Sequence, residues 1–183
     1  MLQNSAQAYG SVSRFFHWSI ALLVLLMIPL GFLMGDIENQ AWKIQAYTIH
    51  KQIGLFILAL MLLRIVWALT NIKPALPFMT PLWQRWCERV VHFSLYAALV
   101  VLPLSGWIGS VAAGYAPQFA GYTLNLPVMK SEKVTEIAFG YFHIPFVYLL
   151  IALLALHVLA ALYHHFIKRD DVLRRMLSKT RQR

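Results

Sequence analysis

A chain of 183 residues that is 60% hydrophobic and 13% charged, with a mean hydropathy of +0.61, is too apolar for an ordinary soluble domain and reads as a membrane protein. The formal charge of +9 comes without a zinc-finger, helix-turn-helix or RNA-binding motif, and the basic residues lie beside apolar runs, so no nucleic-acid partner is expected. The single cysteine, Cys87, excludes an internal disulfide and a thiolate-held iron-sulfur cluster.

In chain order, a short and mostly polar amino terminus leads into an apolar run with no small-residue cleavage pattern after it, so the run reads as a retained helix. Spanning hydrocarbon as a helix takes roughly 20 apolar residues, because a helix satisfies its own backbone without water. Four stretches qualify: Phe15 to Met34, His50 to Leu69, Val90 to Val111 and Phe139 to Ile167. Gly35, Asp36 and Glu38 break the first run, and Pro74, Pro77 and Pro81 end the second. The connection from Ala112 to Ala138 mixes Tyr115, Pro117, Tyr122, Pro127, Lys130 and Lys133, a composition suited to a surface cap or a short interfacial helix. No linker or repeat divides the chain, so residues 1–183 are expected to form one all-α, integral membrane four-helix bundle.

With four spans, Arg14, Arg64, Lys73, Arg85, Arg89 and the basic residues from Lys168 onward (Arg169, Arg174, Arg175, Lys179, Arg181 and Arg183) share one side of the membrane. Only Lys43, Lys51, Lys130 and Lys133 fall on the other, where Asp36, Glu38, Glu132 and Glu136 balance them. The positive-inside rule then puts both termini in the cytoplasm.

An ionisable residue within a span costs a few kcal/mol unless it faces the bundle interior, so intramembrane histidines are functional candidates. His143 and His157 are fourteen residues apart, which is about 21 Å along a helix and within roughly 40° of the same face. One helix can therefore serve two depths. At the outer depth the partner for His143 is His50; at the inner depth the best partner for His157 is His17, with His92 a rival. Imidazole suits iron, copper and zinc alike, but zinc or copper would want further ligands that these levels largely lack. A haem supplies four equatorial nitrogens and asks for two axial imidazoles, so two haems between the helices are expected, with electron transfer as their chemistry.

Arg64 follows His50 by fourteen residues and should reach the inner level, where it can pair with a haem propionate, as can Arg14; Lys51 is placed to do so at the outer level. Interfacial snorkelling is the alternative for Arg14 and Lys51. His164 lies seven residues beyond His157 and is a candidate for propionate binding or proton relay, against the alternative of a hydrated interfacial histidine. Gly54, Gly106 and Gly109 allow close approach of a helix or a flat ring. No carboxylate lies within a span, which argues against a transporter.

The pieces Arg14-Phe-Phe-His-Trp18, His50-Lys-Gln-Ile-Gly54 with Arg64, Pro103-Leu-Ser-Gly-Trp107 and His157-Val-Leu-Ala-Ala-Leu-Tyr-His-His165 leading into Arg169-Asp170 together resemble the bacterial cytochrome b561 family across nearly the whole chain. The resemblance implies two b-type haems in the bacterial inner membrane, axial iron ligands at His17, His50, His143 and His157, exchange of electrons with membrane quinone such as ubiquinone, and, in some members, an oxidoreductase activity that oxidises superoxide at the outer face. One departure is Ile144-Pro145 directly after His143, where the family often has a polar residue. The rival function is a haem-bearing membrane anchor subunit that relays electrons for a separate redox enzyme docked on the outer connection.

Overall fold

The computed structural model of the protein describes residues 1–75, 77 and 80–177. Lys179, Arg181 and Arg183, which entered the charge argument, lie outside the described residues. The chain is mostly helical. In order, the elements are α1 (Ser11–Leu33), α2 (Gln40–Thr70), α3 (Leu82–Ala112), a hairpin of two-residue strands β1 (Gln118–Phe119) and β2 (Tyr122–Thr123), α4 (Glu132–Glu136), α5 (Ile144–Tyr163) and α6 (Arg174–Leu177). Two π-helical turns, Ile137–His143 and His164–Lys168, join α4 to α5 and extend α5, so that Glu132–Lys168 is one continuous fourth helix. Among the described residues four helices are long and apolar enough to cross a membrane: α1, α2, α3 and this fourth one.

The helices outrun the apolar stretches that predict them. α2 starts at Gln40, so His50 stands well inside it rather than at its start, and α3 starts at Leu82. Hydropathy registers the hydrocarbon-facing part of a helix, whereas helix ends are set by caps. Asn39 Oδ1 accepts the amides of Ala41 and Trp42 at the start of α2, and Ser131 Oγ accepts that of Val134 at the start of α4.

Packing runs in a row, with α2 against α1 and α3, and α3 against the fourth helix. Half of the apolar window of α3 is buried, against 6% of that of the fourth helix, so α3 is the inner member and the fourth helix presents most of its surface outward. The shared core consists of Ile20, Val24, Ile57, Met61, Ala98 and Leu102 with their neighbours. Large apolar side chains such as Leu22, Leu25, Phe56 and Leu159 remain exposed on the outer faces, the pattern of a bundle whose solvent is lipid.

The first π-helical turn has an identifiable cause. Pro145 has no amide hydrogen and its ring would crowd the carbonyl of Tyr141, so the wider turn just before it takes up the misfit. Arg169, at φ 54°, ends the second π-helical turn in the left-handed conformation usual for glycine.

Three segments close the end of the bundle at which α1 starts, the inner end in the orientation expected from the charges. Asn4 Nδ2 donates to the Ile72 carbonyl and its Oδ1 accepts from Gly10 N and Ser13 Oγ, while the Ala75 amide donates to Ala6 O. Trp18 Nε1 donates to the Met176 carbonyl, which ties the start of α1 to α6. Tyr9 is enclosed here. Burial pushes its hydroxyl above the usual phenol range, and the Glu88 carboxylate adds to the effect. At the outer end the 113–131 connection lies over the bundle through Lys51 Nζ donating to Tyr115 O, Gln52 Nε2 to Gln118 O and Trp107 Nε1 to Leu124 O. The cap expected from its composition is a hairpin followed by the short α4.

A candidate two-level histidine site

The fourteen-residue interval applies to all four long helices. It separates His17 from Gly31 on α1, His50 from Arg64 on α2, His92 from Gly106 on α3, and His143 from His157 on the fourth helix. Each helix thus places one residue at an inner level (His17, Arg64, His92, His157) and one at an outer level (Gly31, His50, Gly106, His143), about 21 Å apart along the helices.

At the outer level the imidazoles of His50 and His143 face each other with ring centroids 6.3 Å apart and planes at 67°. His143 Nδ1 lies 2.9 Å from the Leu102 carbonyl and 3.3 Å from Ser105 Oγ, which itself donates to Leu102 O. Donation by Nδ1–H to that carbonyl leaves the Nε2 lone pair for another partner, the tautomer of a metal-ligating histidine. Phe139 sits edge-on to His143, with centroids 5.8 Å apart, and fills the space left by Gly109, where an added Cβ would lie only 2.7 Å from the ring. The π-helical turn carries both Phe139 and His143, so it aims the pair at α3. His50 Nδ1 is buried without a hydrogen-bond partner.

At the inner level His17 and His157 have centroids 6.1 Å apart and planes at 50°. His92 is nearer still to His157, 5.2 Å and edge-on. Its Nδ1 is 2.8 Å from Glu88 Oε1, and Glu88 in turn accepts from Lys73 Nζ at 2.6 Å. Arg64 is within electrostatic range of His17 and His157, but its guanidinium donates from Nε to Tyr96 Oη at 3.0 Å and lies over that ring. Arg14 Nε is buried and has no hydrogen-bond partner.

Two further candidates are engaged by the protein itself. Lys51 Nζ is held by the Tyr115 carbonyl. His164 pairs through Nδ1 with Asp170 Oδ2, a partner that only the chain reversal at Arg169 brings within reach. At Gly54 the Met27 methyl alone approaches the place of a Cβ, at 3.9 Å, so no helix closes on it. Gly31, Ser105, Tyr96 and Glu88 were not singled out from the sequence. The repeated interval, extended from the histidines to whatever lies fourteen residues away, would have found Gly31.

The donor set discriminates among metals. Among the described residues no three His, Cys, Asp or Glu side chains converge on a point that could hold an ion, so a metal bound by protein ligands alone does not fit. Facing imidazoles 6.1 and 6.3 Å apart do fit a metal held axially by two nitrogens, each bond about 2 Å long, whose remaining ligands come from a ring such as porphyrin.

The family model for prokaryotic cytochrome b561 matches residues 8–179. The chain is 31% identical over 180 residues to cytochrome b561 homolog 2 of Escherichia coli strain K12, covering 97% of this chain and 95% of that protein. It is 24% identical to cytochrome b561 homolog 1 of the same organism, covering 93% of this chain and 97% of that protein. It is 26% identical to a probable superoxide oxidase, CybB, of Yersinia pestis, covering 94% of this chain and 97% of that protein.

Proposed function

This chain belongs to the prokaryotic cytochrome b561 family, multi-pass membrane b-type cytochromes of electron transfer, and on that premise we propose that it binds two haems and moves electrons from an outer-face donor to membrane quinone. The observation that carries the proposal is the pair of facing imidazoles at each of two depths. His50 and His143 hold the outer group, and His17 and His157 the inner one. When bound, the haem iron supplies reversible one-electron exchange.

The chain's own residues do the rest. Leu102 O fixes the His143 tautomer and raises the basicity of its ring. At the inner level Arg14, with its unpartnered Nε, supplies positive charge for a propionate, and Arg64, steadied by Tyr96, adds to the field. Lys51, anchored on Tyr115, contributes charge at the outer level, and Gly54, one turn beyond His50, keeps the helix surface there low beside the Met27 methyl. His164, with Asp170, stands toward the inner surface as a proton-handling pair. The asymmetry of basic residues orients the protein with both termini in the cytoplasm of the bacterial inner membrane.

The name of the Yersinia pestis relative favours superoxide as the donor. In balance, two superoxide anions each give up one electron and leave as dioxygen, and one quinone takes up two electrons and two protons. Lys51, Lys130 and Lys133 provide the local positive field at that face. A second reading, an electron relay for a separate redox enzyme, draws on the outer hairpin, whose Phe119 and Tyr122 are exposed. Co-purification of a redox partner with no quinone-linked turnover by the isolated protein would select it.

The test is a reduced-minus-oxidised spectrum with haem stoichiometry on the parent and on alanine variants of His17, His50, His92, His143 and His157. Two haems in the parent, one after each change at His50, His143 or His157, one with at most a residual inner signal after His17→Ala, and two after His92→Ala are expected. One haem in the parent, or loss on His92→Ala with retention on His17→Ala, overturns the ligand assignment. Rapid mixing of the oxidised protein with superoxide tests the donor: a haem spectrum that changes no faster than spontaneous dismutation rules it out.

A further inference from the structure

Against the Cε1 edge of each outer imidazole stands a glycine of a different helix. A Cβ built on Gly31 of α1 would lie 3.1 Å from His50 Cε1, and one built on Gly106 of α3 would lie 3.1 Å from His143 Cε1 and 3.2 Å from its Nδ1. All three distances are tighter than ordinary van der Waals contact, so with alanine at either position the ring would have to give by a few tenths of an ångström. Of the other glycines, none has its Cβ position within 4 Å of a histidine among its nearest atoms, so the inner pair lacks this backing. Ser105, buried at 6% exposure, completes the arrangement by sharing the Leu102 carbonyl with His143.

We propose that Gly31, Ser105 and Gly106 are positioning residues that set the rotation of the outer imidazoles, and through it the electronic character of the outer haem. The inference rests on the assignment of His50 and His143 as axial ligands. The angle between two axial imidazole planes governs the splitting of the iron orbitals into which the ring nitrogens donate π density, so it is read directly in the low-spin ferric resonance. The two glycines leave the rings room to stand at a wide angle, and His143 is then held by Leu102 O. His50, with no hydrogen bond at Nδ1, is held by shape alone. Ser105 tunes the other variable: its hydroxyl competes with His143 Nδ1–H for one carbonyl, which keeps the imidazole less basic than an unshared bond would make it.

The experiment uses the full-length, haem-loaded protein and compares electron paramagnetic resonance spectra and redox titrations of Gly31→Ala, Gly106→Ala, Ser105→Ala and the parent. Gly140→Ala serves as a control, since nothing lies within 4 Å of its Cβ position. Gly31→Ala and Gly106→Ala should keep two haems and shift the low-field g value of one low-spin signal, the one absent in His50→Ala, while leaving the other signal in place. Ser105→Ala, which adds no atom, should lower the midpoint potential of the same haem alone. Should an alanine variant fail to hold the outer haem, Ser105→Ala decides: a potential shift confined to that haem supports the proposal and an unchanged titration overturns it. Two haems with both signals at their parent positions in the glycine variants also overturns it. Retention of two haems in His50→Ala and His143→Ala would instead remove the ligand assignment, and this inference with it.

Discussion

At the outer level α1 and α3 contribute glycines, Gly31 and Gly106, whereas fourteen residues away at the inner level the same helices contribute His17 and His92. The outer level therefore offers only two imidazoles, each with a glycine close against its Cε1 edge and one tied to a backbone carbonyl. The inner level offers three, with Arg64, Glu88 and Tyr96 around them. Selection of a ligand pair works differently in the two places. Outside, the pair follows from the absence of any competing side chain. Inside, geometry alone does not choose: His92 stands nearer to His157 than His17 does, and its Nδ1, held by Glu88 as that of His143 is held by Leu102 O, leaves Nε2 free, so the proposed His17/His157 pair rests in part on the family pattern.

The contrast breaks most visibly with the histidines. His50→Ala or His143→Ala should halve the haem content measured by pyridine haemochrome, with no compensation, because no third imidazole stands at that depth. The inner level is the sharper test. His17→Ala should also lose one haem, but His92 is close enough to His157 to recruit a fraction of it back, so a residual inner signal that disappears in the His17→Ala/His92→Ala double variant is expected.

Next in size is packing. Gly109→Ala would put a Cβ 2.7 Å from the Phe139 ring and should destabilise the protein by about 1–3 kcal/mol, read as a lower melting temperature in detergent. Because Phe139 is edge-on to His143, the outer haem should be released before the inner one on heating. Simultaneous release of both haems would show that the two levels are not separable in this way.

The smallest effect belongs to the inner end. Tyr9 has a raised pKa in the folded protein, so below about pH 10 it is protonated in both states and contributes no pH dependence. Above that value the unfolded chain ionises first and stability falls as pH rises toward the folded value. Tyr9→Phe removes this, so its melting temperature should gain on that of the parent only above about pH 10. A constant difference across the whole pH range would mean that the hydroxyl acts through a hydrogen bond and not through its burial.

Much of the site was legible because in hydrocarbon the backbone has to satisfy itself, so an apolar run of sufficient length is a helix and residue number converts directly into depth. His143 and His157 could be placed at two levels on that ground, and His50 and His17 opposite them; in the structure the ring centroids of the two pairs lie 6.3 and 6.1 Å apart, with His92 nearer still to His157. What could not be read depends on how each helix is rotated and what stands behind it. Lys51 and Arg64 were legible as cations at known depths, but not that Lys51 Nζ would donate to the Tyr115 carbonyl and Arg64 Nε to Tyr96 Oη, groups of other segments. The His164 to Asp170 pair needs a left-handed residue at Arg169, which no propensity favours.

The amino-acid sequence by itself thus determined four apolar helices and two depths of imidazole, since both follow from composition and from a fixed rise per residue. Only the tertiary structure decided that Gly31 and Gly106 press on the outer rings, that Phe139 fills the space left by Gly109, and that Leu102 O and Ser105 meet His143. Those outcomes are set by close packing between helices distant in the chain, where a shift of a few tenths of an ångström separates contact from clash.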